Sequence, residues 1–364
     1  MRVAIVHDKL VQMGGAERVA RRMLRLWPHA DFYTSAFDPE LAAREGFGDV
    51  HATFLQRLPA RAEQTRWMLP LYDRAFRSLD LGGYDLLVSS AAMFAKSAHS
   101  PTAPHVCYCH TPVVYLWHLR DSHFRELPYR AGVRLAASAT VPWLRRADRR
   151  AAAAVDVFVA NSNAVAERIR SYYGRESLVV HPPVDVSAFA ADPPADDYFV
   201  VVARLYPYKR VDLAIEACAQ VGVRLKVLGD GGDRKRLEAL AGETVEFLGW
   251  VDDDRKAEVI GAARALLAPQ LEDFGIAMVE ALAAGTPVIA LQAGGALDII
   301  DDGETGLLFA EQTTASLVEA IRRLDSASLD PALLRERAAR FVPERFDAAM
   351  RDVAARALSG YRSA

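Results

Sequence analysis

The chain alternates short apolar runs with longer stretches in which apolar residues recur every three or four positions. In the first half, runs at Val3–His7, Asp31–Thr34, Asp85–Ser89, His105–Cys109 and Val155–Ala160 predict strands. Between them, Ala16–Leu26, a stretch near 60–78, Ala131–Ala154 and Ala164–Tyr172 fit helices. The second half repeats the rhythm, with strands predicted at Tyr198–Ala203, Arg224–Leu228, Val245–Leu248, Ala265–Ala268 and Val288–Ala290. Near-continuous Val/Ile/Leu strands separated by helices indicate parallel sheets covered on both faces. The expected fold class is therefore α/β, with two doubly wound Rossmann-like domains facing across a cleft. Pro182, Pro183, Pro193 and Pro194 punctuate a polar linker in HPPVDVSAFAADPPADD, which marks the boundary. A first domain over 1–185 and a second over 195–345 follow, with a final helical stretch, 346–362, that can pack back on the first.

Composition narrows this picture without redirecting it. A length of 364 residues suits two domains, and 51% hydrophobic with 25% charged residues is ordinary for a soluble globular protein. The apolar runs are strand-sized, well short of the ~20 residues a membrane-spanning helix needs. Met1-Arg2 leads directly into the first predicted strand, so no signal peptide is expected. Cys107, Cys109 and Cys218 are too few for a disulfide framework, which makes a reducing cytoplasm the simplest location.

The net charge of −3 conceals an asymmetry. Residues 1–180 carry 24 Lys and Arg against 17 Asp and Glu (+7), and the remainder 20 against 30 (−10). Arg57, Arg61, Arg66, Arg74, Arg77, Arg145, Arg146, Arg149 and Arg150 lie in the basic half, interleaved around 67–76 with Trp67, Met68, Leu69, Leu71, Tyr72 and Phe76. Such a stretch reads either as a solvated helix face or as a contact for an anionic membrane surface or a phosphate-bearing acceptor. Nucleic acid is not an expected partner, because the overall charge is acidic and no recognised binding module is present.

Candidate chemistry concentrates where strands end. Glu272 and Glu280 stand eight positions apart in LEDFGIAMVEALAAGTPVIA, between the apolar runs Ala265–Ala268 and Val288–Ala290. This is a strand–loop–helix–strand unit, with Glu272 at the helix mouth and Glu280 within the helix. Unpaired N–H groups at such a mouth suit an anionic or hydroxyl-rich ligand. Gly14 and Gly15, just before the first helix, let backbone N–H groups approach an oxyanion, although a plain tight turn explains them equally. Gly229-Asp230-Gly231-Gly232 lacks the full dinucleotide spacing. In Cys107-Tyr108-Cys109-His110 the cysteines read as small buried hydrophobes, since a metal site would lack a ligand at sensible spacing. His110 ends a strand, as either a ligand-facing or a satisfied core histidine. Arg204 and Lys209, separated by a Pro207 turn, can close on a diphosphate as fork and point charge.

Taken in order, MGGAERV, YCHTP, VANSNAV, VVHPPVDVSAF, ARLYPYKRVDLAIEA, GDGGDRKRLEAL, FLGWV and EDFGIAMVEALAAGTPVIA span nearly the whole chain. Their joint order resembles that of the retaining glycosyltransferases of family 4, which have the two-Rossmann-domain GT-B fold. The resemblance implies a nucleoside-diphosphate sugar donor, treated as a substrate and not a cofactor, held mainly by the second domain. It implies a glycan or lipid-linked glycan acceptor on the first. Arg204 and Lys209 would then neutralise the diphosphate, with no metal expected. Glu272 would face the sugar's hydroxyls and Glu280 the ribose, while Phe274, Gly275 and Ile276 would offer N–H groups to sugar and phosphates. Gly14 and Gly15 would lie on the phosphate side, and His110 near the anomeric centre. Asp252-Asp253-Asp254 reads as a helix N-cap, not a metal motif. Trp250 either stacks on the base or packs internally.

HTPVVYLWHLRDSHF is similar to a segment of bacterial O-antigen and exopolysaccharide mannosyltransferases, which implies GDP-mannose as the first-choice donor. Those enzymes commonly show Arg where this chain has Val114 and Asp where it has His118. A UDP-sugar donor, a non-catalytic sugar-nucleotide-binding protein and a sugar-nucleotide 2-epimerase are the alternatives. The expected setting is a cytoplasmic enzyme, with peripheral contact on the inner face of the plasma membrane as its membrane-bound form.

Overall fold

A computed structural model describes residues 1–58, 69–117, 131–189 and 195–362. The chain divides into two compact units: Met1–His181 with Phe346–Ala364, and Pro182–Arg345. His118, Arg61, Arg66, Trp67, Met68, Pro193 and Pro194 lie outside the described residues, as does the first part of the helix predicted near 60–78.

In the first unit, β1 (Val3–His7), β2 (Asp31–Thr34), β3 (Val50–Ala52), β4 (Leu86–Ala91), β5 (His105–Cys109), β6 (Val157–Ala160) and β7 (Ser177–Val179) form one sheet. Its strand order is β3-β2-β1-β4-β5-β6-β7, and the paired strands are parallel. β1, β4 and β5 are buried throughout, as a sheet covered on both faces requires. Ala4, Val6, Cys107 and Cys109 enter the core on one face, and Val3, Ile5, Val106 and Tyr108 the core on the other. The helix Pro343–Arg362 contributes Phe346, Met350 and Val353 to this second core, with the Phe346 ring 5.7 Å from Tyr108.

The second unit holds β8 (Tyr198–Val202), β9 (Arg224–Leu228), β10 (Val245–Gly249), β11 (Ala265–Ala268), β12 (Val288–Leu291) and β13 (Gly306–Phe309). They run parallel in the order β10-β9-β8-β11-β12-β13, again with a core on each face. In each sheet the order reverses direction beside the unit's first strand, between β1 and β4 and between β8 and β11. At such points the loops leaving the carboxyl ends of two neighbouring strands diverge to opposite faces and leave a crevice. Gly14, after β1, and Arg204, Lys209 and Glu272, after β8 and β11, lie on these loops, whereas His110 follows β5, Trp250 follows β10 and Glu280 stands within a helix.

Candidate active site at two strand-order reversals

In the second unit, β8 leads into Ala203–Arg210, where Pro207 opens a single 3-10 turn, Pro207–Lys209. Arg210 then adopts φ 50°, the one described non-glycine residue with positive φ, and caps the helix Val211–Val221. A bulky residue held there is strained backbone of the kind found at ligand sites. The turn projects Lys209 toward the loop after β11, where its Nζ lies 2.6 Å from Glu272 Oε1. Gln270 Nε2 donates to the same oxygen at 2.8 Å. Burial would raise the Glu272 carboxyl, but the Lys209 ammonium, the Gln270 hydrogen bond and the Arg204 charge together outweigh burial and hold it below its ordinary 4.5. Burial would likewise lower Lys209, and Glu272 reverses that to raise it above 10.5. The two therefore stay ionised together over the whole neutral range. Arg204, on the same β8 loop, is exposed, makes no ion pair among the described residues and leans toward the Tyr206 ring, 6.0 Å away.

The Glu272 loop is braced from the β12 side. Glu272 forms a parallel bridge with Gly294, and its carbonyl accepts the Gly295 N–H at 2.9 Å. Gly275 then takes φ 106° as N-cap of the helix Ile276–Ala283, a conformation natural to glycine. The first-turn N–H groups of that helix, from Ile276 on, lack i−4 carbonyl acceptors within it and so face the loop. Phe274 is buried against Phe341, with ring centroids 5.4 Å apart, and anchors the turn.

Glu280 lies one face further round the same helix and is 4% exposed. Its Oε1 accepts from Lys256 Nζ at 2.7 Å, and Lys256 also pairs with Asp253 at 3.0 Å. The structure thus brings Glu272 together with Lys209, whereas Glu280 is turned to the helix Asp253–Gly261. Asp252 caps that helix by accepting the Arg255 N–H, and so does the work of a cap. Trp250, just after β10, is 81% exposed, which excludes the packing alternative. Gly229 and Gly231 are needed for close approach: a Cβ on either would stand 2.0 Å from the Ala203 carbonyl oxygen or 2.3 Å from that of Leu205.

In the first unit, Gly14 is the N-cap of the helix Gly15–Leu26. Asp8, which follows β1, accepts from the Ala92, Met93 and Ala95 N–H groups at 2.6–2.8 Å and ties the β1 loop to the β4 loop. His110 follows β5 and is 8% exposed, with Nε2 2.7 Å from Ser90 Oγ. Burial, with His7 adding to it, pushes its pKa down to about 3, so the ring is neutral. Cys107 and Cys109 are buried in the core, and burial pushes the Cys107 thiol up to about 12, as the hydrophobe reading requires.

Sequence reasoning missed Gln270, Lys256, Gly294 and Ser90. Ser90 had a usable signal: Ser89-Ser90 is a polar pair closing an apolar strand, and both are fully buried. Gln270 had none, because a glutamine two residues before a glutamate is unremarkable until the loop folds. Of the basic set, Arg145 and Arg149 lie over the Trp117 ring at 4.8 and 5.0 Å and serve packing. Arg146 and Arg150 are exposed, beside a half-exposed Trp143.

Residues 183–341 match the family described as Glycosyl transferases group 1, and residues 13–188 match Glycosyltransferase Family 4. A D-inositol 3-phosphate glycosyltransferase of Streptomyces bingchenggensis is 30% identical over 251 residues, 57% of this chain and 54% of its own length. A phosphatidyl-myo-inositol mannosyltransferase of Mycobacterium leprae is 41% identical over 120 residues, 32% of this chain and 31% of its own. The first of these matches spans about half the length of that curated relative, and the second under a third. Among solved structures, sucrose-phosphate synthase of Thermosynechococcus elongatus superposes with a TM-score of 0.74 at 20% identity, covering 99% of this chain and 100% of its own. HepE of Anabaena in complex with UDP gives 0.72 at 18% identity, covering 97% and 99%. These likenesses establish the GT-B fold.

Proposed function

Because the chain belongs to the glycosyltransferases of family 4 and group 1, we propose that it transfers a hexose with retention from a nucleoside-diphosphate sugar to a glycan or lipid-linked glycan. Mannose from GDP-mannose is the first choice. The observation that carries the reading is the Lys209–Glu272 pair at the strand-order reversal of the second sheet, with Arg204 on the same loop open to solvent. A pre-formed cation and anion 2.6 Å apart offer both things a sugar diphosphate needs. The carboxylate accepts sugar hydroxyls, and the cations receive charge as the leaving phosphate departs.

In this reading the bond from the anomeric carbon to the diphosphate breaks as the acceptor oxygen attacks on the same face. The departing phosphate oxygen takes the acceptor's proton. Double displacement through Glu272 fits less well, because Lys209 and Gln270 both draw on Oε1 and so weaken it as a nucleophile. Arg204 and Lys209 supply the positive charge, so transfer needs no metal and no cofactor. Mannose is favoured by the HTPVVYLWHLRDSHF resemblance and by the likeness to the phosphatidyl-myo-inositol mannosyltransferase of Mycobacterium leprae. Trp250, being exposed, is free to stack on the base. The setting we propose is cytoplasmic, with Arg146, Arg150 and Trp143 resting on an anionic membrane surface. No helix among the described residues is long and apolar enough to cross a membrane.

Calorimetric titration with GDP, UDP, ADP and dTDP, with and without magnesium, tests the reading. Tight binding of GDP, indifferent to magnesium, is expected. A preference for UDP would keep the mechanism and overturn the donor, and no binding to any would overturn the transferase itself. Turnover of free sugar nucleotide without acceptor would identify the 2-epimerase alternative. Nucleotide binding with no transfer to any lipid-linked glycan would favour the non-catalytic one.

A further inference from the structure

At the strand-order reversal of the first sheet, four buried polar residues stand in a row: Glu17, His7, Ser90 and His110 are 8%, 2%, 0% and 8% exposed. His7 Nε2 is 3.8 Å from Glu17 Oε1, His7 Nδ1 is 3.1 Å from Ser90 Oγ, and Ser90 Oγ is 2.7 Å from His110 Nε2. The residues come from β1, the first helical turn after the glycine pair, β4 and the end of β5. We propose that Glu17, His7 and Ser90 are positioning residues that fix the tautomer of His110, so that its Nε2 carries the proton and its Nδ1 is a bare acceptor. The inference rests on the reading of His110 as a residue that faces the donor sugar.

Ser90 has one hydrogen, and that settles the order. A carboxylate beside His7 Nε2 favours an N–H there, since a lone pair in that direction would be repelled. A His7 ring that carries its single proton on Nε2 accepts at Nδ1, so the Ser90 hydrogen then points to His7. Ser90 can then only accept from His110, which places the His110 proton on Nε2. Among the described residues no hydrogen bond takes up His110 Nδ1, so that nitrogen is left to accept from a substrate hydroxyl. If both His7 nitrogens carried protons, the chain would run the other way and His110 would present an N–H donor instead.

Gly14 belongs to the same device. A Cβ there would stand 2.9 Å from Glu17 Oε2, so the glycine leaves room for the carboxylate to turn inward. Glu17 in the first helical turn is also favoured by the helix dipole, which helps keep it anionic.

The test is two-bond proton–nitrogen correlation NMR on the full chain with 15N-histidine, read beside transfer rates for wild type, Glu17→Gln and Ser90→Ala. Both replacements are close in size to the originals. Should Ser90→Ala fail to fold, Glu17→Gln carries the test alone. Wild-type His110 is expected as the Nε2–H tautomer. Each variant should shift it toward Nδ1–H and slow transfer about tenfold or more, the effect of one buried hydrogen bond turned the wrong way. A wild-type His110 protonated at Nδ1, or a tautomer unmoved by both variants, would overturn the relay. A tautomer that moves while the rate does not would uphold the relay and remove His110 from the transfer step.

Discussion

Glu272 is the residue on which the chemistry turns, and its two neighbours say how it should fail. Glu272→Ala leaves Lys209 free for the diphosphate, so transfer should be lost while nucleotide affinity is kept, as activity assay and calorimetry will show. Glu280→Ala removes one of the two acidic partners of the partly buried Lys256 and, if Glu280 holds the ribose, a nucleotide ligand; it should lower both the melting temperature and nucleotide affinity. Lost stability with unchanged affinity would leave Glu280 a structural residue only.

The pair also predicts a pH profile. Glu272 is depressed on folding, so its contribution is present above its ordinary value of 4.5 and is lost as pH falls through the folded value. Lys209 is raised, so its contribution is present below its unfolded value and is lost as pH rises through the folded one. The stability gap between wild type and Glu272→Gln, about 1–3 kcal/mol for a charge-assisted bond, should be flat from about pH 6 to 9. It should shrink toward both acid and strong alkali in denaturant titrations. At this scale the sequence was half legible. Glu272, Lys209 and Arg204 are marked by charge at strand ends, but Gln270 and Ser90 acquire meaning only from atoms brought over by other strands.

The central elements could be read from the chain because burial on both faces makes a strand uniformly apolar. β1, β2, β5, β9 and β11 begin and end where the pattern of residues placed them. The strands not foreseen are β3, β7 and β13, and each is the outermost strand of its sheet. Val50–Ala52 and Ser177–Val179 are three residues long and only partly buried, so neither shows a run or an alternation. Gly306–Phe309 is buried, but its opening glycine reads as a breaker until Val288 is seen passing beside it. The loops that shape the site obey the same logic of close approach. At Gly294, φ is +67° and a Cβ would lie 2.3 Å from the Glu272 carbonyl oxygen. Gly294→Ala should therefore push the Glu272 loop away from Lys209. The expected result is at least tenfold slower transfer with a melting point only a few degrees lower, the second from strain in the left-handed region. Unchanged kinetics would mean that the brace from β12 is not what holds the carboxylate.

At the scale of the molecule, the same plan appears twice, and in each unit the polar cluster stands where the strand order turns. The units differ in continuity. The second is a single stretch, Pro182–Arg345, whereas the first is completed by residues from Phe346 on. Phe346, Met350 and Val353 are 2%, 0% and 3% exposed within the core that also holds Val3, Ile5 and Val106. Arg22 holds Asp347 through two bonds of 2.8 and 2.7 Å. At about 1.5–3 kcal/mol for each large buried side chain, these three residues alone contribute roughly 5–9 kcal/mol. That is comparable to the whole stability of an ordinary domain, about 5–15 kcal/mol. A chain ending at Arg345 should accordingly lose the first unit while the second still melts cooperatively. Limited proteolysis should then digest residues 1–181 and spare 182–345, with calorimetry showing one transition in place of two. Survival of both units after that truncation would show that the closing helix covers the first core without being required by it.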